Sequence, residues 1–339
     1  MDQIRNTVAE NFGGKAHGFA KPEHQFSLDE TPDQTGKVAV ITGGSEGIGY
    51  GASFTLLKRN LSKLFVLSVS KEKIDGALND IKEKLGQDKA DRVVWLQCEL
   101  SDWKAVAKAA QSIREQTDRI DVLILNGARG IMTYQVTEDT GLDRHMAVNH
   151  FGHVILTSHL LPVLKKTASG SSPVRISLQS SNAIEFTPKD TKFASISELN
   201  TDLGANAQYG RAKLANLLYA RYLARHLTRG EYPQILANAT HPGFVDTKMS
   251  VEDIHEPFPI AGYAMSVVMK PLKKDQWDGC VSTVFAATKI QESGEYICPP
   301  AIPEPGSALS RDEDLSEQLM VLTKEVLREK MDDAPLEFF

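Results

Sequence analysis

Short apolar runs punctuate the chain: Val38 to Ile41, Leu64 to Val69, Val93 to Gln97, Val122 to Leu125, Val174 to Leu178 and Ile235 to Thr240. Between them lie longer segments with apolar residues at three- and four-residue spacing, such as Trp103 to Gln116 and Ala212 to His226. The runs predict strands buried on both faces, and the intervening segments predict the helices that cover them. Strands alternating with helices make an α/β doubly wound parallel sheet, because right-handed crossovers place helices on each side. One domain is expected over residues 37–310. Ahead of it, residues 1–36 are polar and interrupted by Gly13-Gly14, Pro22 and Pro32, which reads as an arm laid over the surface. After His241 the alternation weakens. Pro257 to Leu272 mixes prolines with the apolar run Ile260 to Met269 and leads into Lys273-Lys274. This predicts a substrate lid over about 244–276, with weak contact to a membrane surface as the alternative. Asp312 to Met331 predicts a last amphipathic helix within the tail 311–339.

The first strand runs straight into Thr42-Gly43-Gly44-Ser45-Glu46-Gly47-Ile48-Gly49, which opens a helical stretch to Lys58. Glycines here allow a tight turn, close approach of backbone to a pyrophosphate, and close helix packing, while the free N–H groups of the helix start bind the anion. Strand, glycine turn and helix in that order predict a dinucleotide-binding Rossmann fold, with Gly43, Ser45, Glu46, Gly47, Ile48 and Gly49 at the cofactor. The second strand ends in Ser70 and Lys71 with no acid to hold a ribose 2′-hydroxyl, which favours NADP(H) over NAD(H). Lys71, or Lys73 nearby, is placed to neutralise a 2′-phosphate, unless Glu72 serves a ribose instead. At the end of the third strand Glu99, followed by Leu100, either accepts the adenine amino group or is a solvated loop acid.

Tyr209 and Lys213 open a strongly helical segment, and a spacing of four puts them on one face. A phenol is a poor acid or base at neutral pH, but an adjacent ammonium and an oxidised nicotinamide favour the phenolate. Val174 to Leu178 delivers Gln179-Ser180-Ser181 at its carboxyl end, the side of such a sheet where ligands bind, and a hydroxyl there stabilises charge on a substrate oxygen.

From Lys37 to about Pro300 the chain resembles the short-chain dehydrogenase/reductase family, classical type, and especially its retinol-dehydrogenase-like and WW-domain-oxidoreductase-like members and related fungal oxidoreductases. The matching motifs are Thr42-Gly43-x3-Gly47-x-Gly49, Asn126-Gly127-Ala128, Asn149, the Ser180-Ser181 strand end, Tyr209-x3-Lys213 and Pro242-Gly243-Phe244-Val245-Asp246-Thr247. The resemblance implies that Tyr209 is the acid/base and that Lys213 binds the nicotinamide ribose and lowers the Tyr209 pKa. It makes Ser181 rather than Ser180 the group on the substrate oxygen, and Asn149 the holder of a relay water. It adds Asn126, Gly127, Ala128, Pro242, Gly243, Val245 and Thr247 to the cofactor site. Two departures stand out. Arg129 occupies a position the family fills with a small residue, and Tyr209 lies 28 positions after Ser181, with an insertion, Asn182 to Gln208, containing Phe186, Phe193 and Leu199. Such an insertion implies a moderately large, apolar carbonyl or alcohol substrate. The alternative is a catalytically silent dinucleotide sensor or scaffold on the same fold, and sugar-nucleotide epimerase chemistry comes last.

Composition removes other classes. The 339 residues carry a net charge of −6 with no basic block, so nucleic acid is not an expected partner. Cys98, Cys280 and Cys298 are odd in number and widely spaced, which fits a reducing compartment and a cytoplasmic location. No secretory leader or membrane span is read from the sequence. His145, His150, His153 and His159 lack a further ligand at metal spacing and read as structural helix, with Gly152 easing contact with a neighbouring helix. Trp103 to Gln116 and His150 to Leu164 either form a homo-oligomer interface or serve the core.

Overall fold

The computed structural model describes residues 6, 8–10, 14–170, 172–243, 245 and 274–331. An eight-stranded sheet with order β3-β2-β1-β4-β5-β6-β7-β8 forms its centre. The first six strands, β1 (Val38–Thr42), β2 (Lys63–Ser68), β3 (Val93–Gln97), β4 (Val122–Leu125), β5 (Val174–Gln179) and β6 (Ile235–Thr240), are those the apolar runs predict. All pairings are parallel up to β7 (Tyr296–Cys298), and β8 (Ile302–Glu304) returns antiparallel to it. These last two strands have three residues each, too few to show a period, and the sequence reading does not contain them.

The two faces of the sheet are sorted residue by residue. On β1, Val40 joins a core with α3 (Trp103–Gln116), α4 (Gly152–Ala168), α5 (Ala205–Leu223) and α7 (Glu313–Lys330), whereas Ala39 and Ile41 join a second core. That second core contains α1 (Gly47–Lys58), α2 (Lys71–Leu85) and α6 (Gln276–Thr288). A strand period of two therefore divides each apolar run between two helical layers, which is why the runs read as continuous rather than alternating. The two helices weighed as an oligomer interface pack on each other inside the chain, with the Trp103 and Phe151 rings stacked 5.2 Å apart. Helix α7 closes over α5, where Ser316 Oγ donates to the Leu218 carbonyl and Arg225 pairs with Glu317 at 2.9 Å.

The arm lies along the body in short 3-10 turns. Phe26 packs against Phe285 at 5.3 Å, Ala20 is buried, and Asn6 Nδ2 donates to Glu304 Oε1. Of the expected lid over 244–276, Val245 and residues 274–276 are described; Phe244, Asp246 and Thr247 lie outside the described residues.

Candidate active site

The turn after β1 is built on glycine. Gly43 has φ +65° and Gly47 φ +54°, and a Cβ on Gly49 would stand 2.1 Å from the Gly43 carbonyl oxygen. Helix α1 thus packs where a side chain would exclude it. Glu46, at the N-cap of α1, makes no capping bond, so its carboxylate does not compete for the helix's first N–H groups. Instead it faces Lys73, 3.6 Å away. Ser70 caps α2 by accepting from Lys73 N, and Lys71 pairs with Asp75 along the same helix at 2.6 Å. Of the two lysines considered for a 2′-phosphate, it is Lys73 that reaches the glycine turn.

Two further cofactor-side expectations find different surroundings. Glu99 Oε1 accepts from both the N and Oγ of Ser101 at 3.2 Å, a local loop contact. Leu100 is buried, and its carbonyl oxygen lies 2.4 Å from where a Gly152 Cβ would be. Gly152 therefore makes room for the loop after β3, not for a neighbouring helix.

Beside the turn, Asn126 Nδ2 donates to the Thr42 carbonyl at 3.1 Å, and a Cβ on Gly43 would touch Gly127 Cα at 3.0 Å. Thr42 is buried and central: its Oγ1 accepts from both Asn126 N and Gly127 N, each at 2.9 Å. Arg129 N donates to Asn149 Oδ1 at 2.7 Å, and Asn149 Nδ2 donates back to the Arg129 carbonyl at 3.1 Å. The arginine guanidinium donates to the Thr133 carbonyl, within its own loop. Asn149 sits in a π turn, Ala147–Phe151, that leads into α4, and it braces the strand extension with its amide.

Tyr209, Ser181 and Lys213 converge across the cleft. The Ser181 hydroxyl hydrogen-bonds the Tyr209 phenol, and Lys213 Nζ lies 5.5 Å from the Tyr209 ring centre while donating to the Gln179 carbonyl at 3.0 Å. Asn216 Nδ2 donates to the same carbonyl at 3.0 Å, fixing it. Burial pushes the Tyr209 phenol up to about 12, opposed by the Ser181 bond, and pushes Lys213 down to about 7. The expectation that Lys213 lowers the Tyr209 pKa is not what dominates in the protein itself: removal from water does, and it keeps the phenol protonated. Ser180 is not equivalent to its neighbour, since its Oγ donates to the Lys213 carbonyl at 2.8 Å within the core.

Next to Ser181 opens a cavity of about 220 Å³ with Asn182, Ile184, His241, Tyr296, Glu10 and Glu304 in its lining. Glu10 comes from the arm, and its carboxyl is pushed up to about 8, first by burial and then by Glu304. In the insertion, Phe193 and Leu199 are fully buried, and Phe186 is 57% exposed. Gly243 has φ +77° and Val245 is buried, as the close-packed end of β6 requires. Among the described residues no helix is long and apolar enough to cross a membrane.

Comparison with known proteins matches residues 37–184 to the family described as short chain dehydrogenase. The oxidoreductase bli-4 of Neurospora crassa, named as mitochondrial, is 56% identical over 334 residues, covering 97% of this chain and 80% of that protein. A short-chain dehydrogenase/reductase of Armillaria gallica is 32% identical over 310 residues, covering 88% of this chain and 94% of that one. A solved structure from Mycobacterium paratuberculosis shares the fold, with TM-score 0.69 at 22% identity over 89% of this chain and 97% of that one.

Proposed function

The chain belongs to the short-chain dehydrogenase/reductase family of oxidoreductases, and from that premise we propose that it moves a hydride between NADP(H) and the carbonyl or alcohol of a moderately large, apolar substrate. The observation that carries this is the cluster of buried Tyr209 and Lys213 with half-buried Ser181 at the carboxyl end of β5. The cofactor fits the chain's own residues. Gly43 to Gly49 leave backbone where a pyrophosphate approaches, and Asn126, Gly127, Ala128, Pro242, Gly243 and Val245 frame the nicotinamide side. Lys73 beside Glu46, with no acid closing β2, supports NADP(H). When bound, the nicotinamide supplies or accepts the hydride.

The protein's residues do the rest. Ser181 Oγ accepts from Ala183 N at 3.1 Å and donates to Asn182 Oδ1 over a long 3.4 Å, a bond that a substrate oxygen would replace. Tyr209, held as the neutral phenol, gives its proton to that oxygen as the carbonyl is reduced. Lys213, near pKa 7 and tied to the Gln179 carbonyl, holds a proton close to the tyrosine it replenishes. Ile184 and Tyr296 in the adjoining cavity support an apolar substrate body, and Glu10 and Glu304 leave room for a hydroxyl on it. The free buried cysteines suit a reducing compartment, and we place the protein in the cytoplasm; mitochondrial imaging of a tagged chain overturns that placement.

The test is turnover of NADPH and NADH with a panel of an aromatic diketone, a long-chain aldehyde and a cyclic ketone. We expect NADPH to be preferred, and Tyr209→Phe to lose about 10²–10⁴ in kcat while NADPH binding persists. A wild-type protein that binds dinucleotide yet reduces nothing on the panel would sink the enzyme reading and favour a sensor or scaffold.

A further inference from the structure

His153 is 1% exposed and lies in neither the glycine turn nor the cluster of Tyr209, Ser181 and Lys213, yet it bonds Thr42, which opens the turn, and Asn149. Its Nδ1 is 2.9 Å from the Asn149 carbonyl oxygen and its Nε2 is 3.0 Å from Thr42 Oγ1. A carbonyl can only accept, so Nδ1 carries the proton, Nε2 accepts, and the Thr42 hydroxyl donates. Thr42 then has its one proton committed to His153 and both lone pairs free for Asn126 N and Gly127 N. Asn149, at the other ring nitrogen, braces the Arg129 backbone.

We propose that His153 is a positioning residue that locks the glycine turn and the carboxyl end of β4 to the π turn carrying Asn149, each ring nitrogen holding one side. This rests on the cofactor site proposed above. A doubly protonated imidazole would break the arrangement, because Nε2 could no longer accept from Thr42. Complete burial, together with the nearby Lys213 charge, pushes His153 down to about 3, so the neutral ring persists across the working range. The sequence position, four residues after Asn149 on a helix, gives Nδ1 its partner; Thr42, 111 residues away, supplies the other.

Two substitutions divide the ring's functions. In His153→Asn the side-chain amide takes the place of Nδ1 and keeps a donor for the Asn149 carbonyl, but nothing accepts from Thr42. In His153→Gln the amide oxygen takes the place of Nε2 and still accepts from Thr42, while the Asn149 carbonyl loses its donor. NADPH dissociation constants, read by nucleotide fluorescence, and kcat on the aromatic diketone at saturating NADPH are measured for both, alongside melting temperature. We expect His153→Asn to weaken NADPH binding about tenfold with a smaller loss in kcat, and His153→Gln to keep NADPH binding and lose about tenfold in kcat. Melting curves verify that both variants fold; should His153→Asn fail to, Thr42→Val removes the same hydroxyl bond together with the acceptor for Asn126 N and Gly127 N, and is expected to weaken NADPH binding at least tenfold with a smaller loss in kcat. If both variants lose binding and turnover in equal proportion, or lose neither, the inference is wrong. A wild-type protein that neither binds NADPH nor reduces the diketone defeats the functional reading itself, which is a separate result.

Discussion

Ser180 and Ser181 sit side by side at the end of β5, and the alternation of a strand sends their hydroxyls to different places. Ser180 Oγ reaches inward to the Lys213 carbonyl at 2.8 Å, and Ser181 Oγ reaches the Tyr209 phenol. Ser180→Ala should therefore cost roughly 1 kcal/mol of stability and little activity. Ser181→Ala should leave the melting temperature in place and lower kcat by about 10²–10³. Paired melts and steady-state rates check this, and a reversed pattern would reassign the catalytic hydroxyl. The family resemblance singles out Ser181 from the sequence, because motif order is local information. What it could not show is the partner of a buried polar group. Thr42 looked like the end of a strand and His153 like one of four helical histidines, and their bond spans most of the first half of the chain. Lysine 213 illustrates the same limit from the side of energy: its motif position is legible, but a pKa near 7 depends on how completely the fold removes it from water.

The insertion before α5 is the element the sequence described least well. Its aromatic and aliphatic residues give no period from which a role could be read, and in the fold Phe193 and Leu199 are fully buried and serve as anchors. Their contacts are organised by polar groups that no periodicity reports. The Glu198 carboxylate accepts from the backbone N of Lys192 at 2.8 Å, Phe193 at 3.0 Å and Ala194 at 2.7 Å. Arg211, 1% exposed and two residues from Tyr209, donates to the Glu198 carbonyl. Three N–H groups thus converge on one side chain, and the segment it gathers is hooked to α5, the helix that carries Tyr209 and Lys213. Glu198→Ala should cost about 2 kcal/mol and raise KM more than it lowers kcat, whereas Glu198→Gln, which still accepts, should do roughly half as much. Denaturant midpoints and Michaelis parameters for the two variants are the readout; identical behaviour of Ala and Gln would show that the carboxylate does not gather the loop. The strands β1 to β6 were legible for the opposite reason. Each is an apolar run long enough to declare itself, and five of the six are buried on both sides; β3, at the edge of the sheet, is half-buried, so the expectation of burial on both faces fails there because only one neighbouring strand covers it.

Across the molecule, burial of imidazoles gives stability a sign with respect to acid. His150, His153 and His241 are pushed down to about 3 and His17 to about 4, each chiefly by burial. In an unfolded chain the same groups protonate near 6.5. Below that pH the unfolded state binds protons that the native state does not, so stability is fully present above about pH 6.5 and is lost as pH falls. Glu10 works the other way. Its carboxyl is pushed up to about 8 in the fold, so the native state holds a proton the unfolded chain has lost between its ordinary value of 4.5 and about 8. With four histidines on one side and Glu10 on the other, the balance near pH 5 is about three protons, or roughly 4 kcal/mol per pH unit. Set against a native stability of about 5–15 kcal/mol, that slope should unfold the protein within about two to three units below pH 6.5. Guanidinium unfolding between pH 7.5 and 4.5 measures it directly. His153→Gln, which removes one of the buried bases, should flatten the slope by about one proton. Stability that stays level down to pH 4.5 would mean that these imidazoles accept protons without leaving the fold, and that the network joining Asn149, His153 and Thr42 tolerates the charge its geometry is built to exclude.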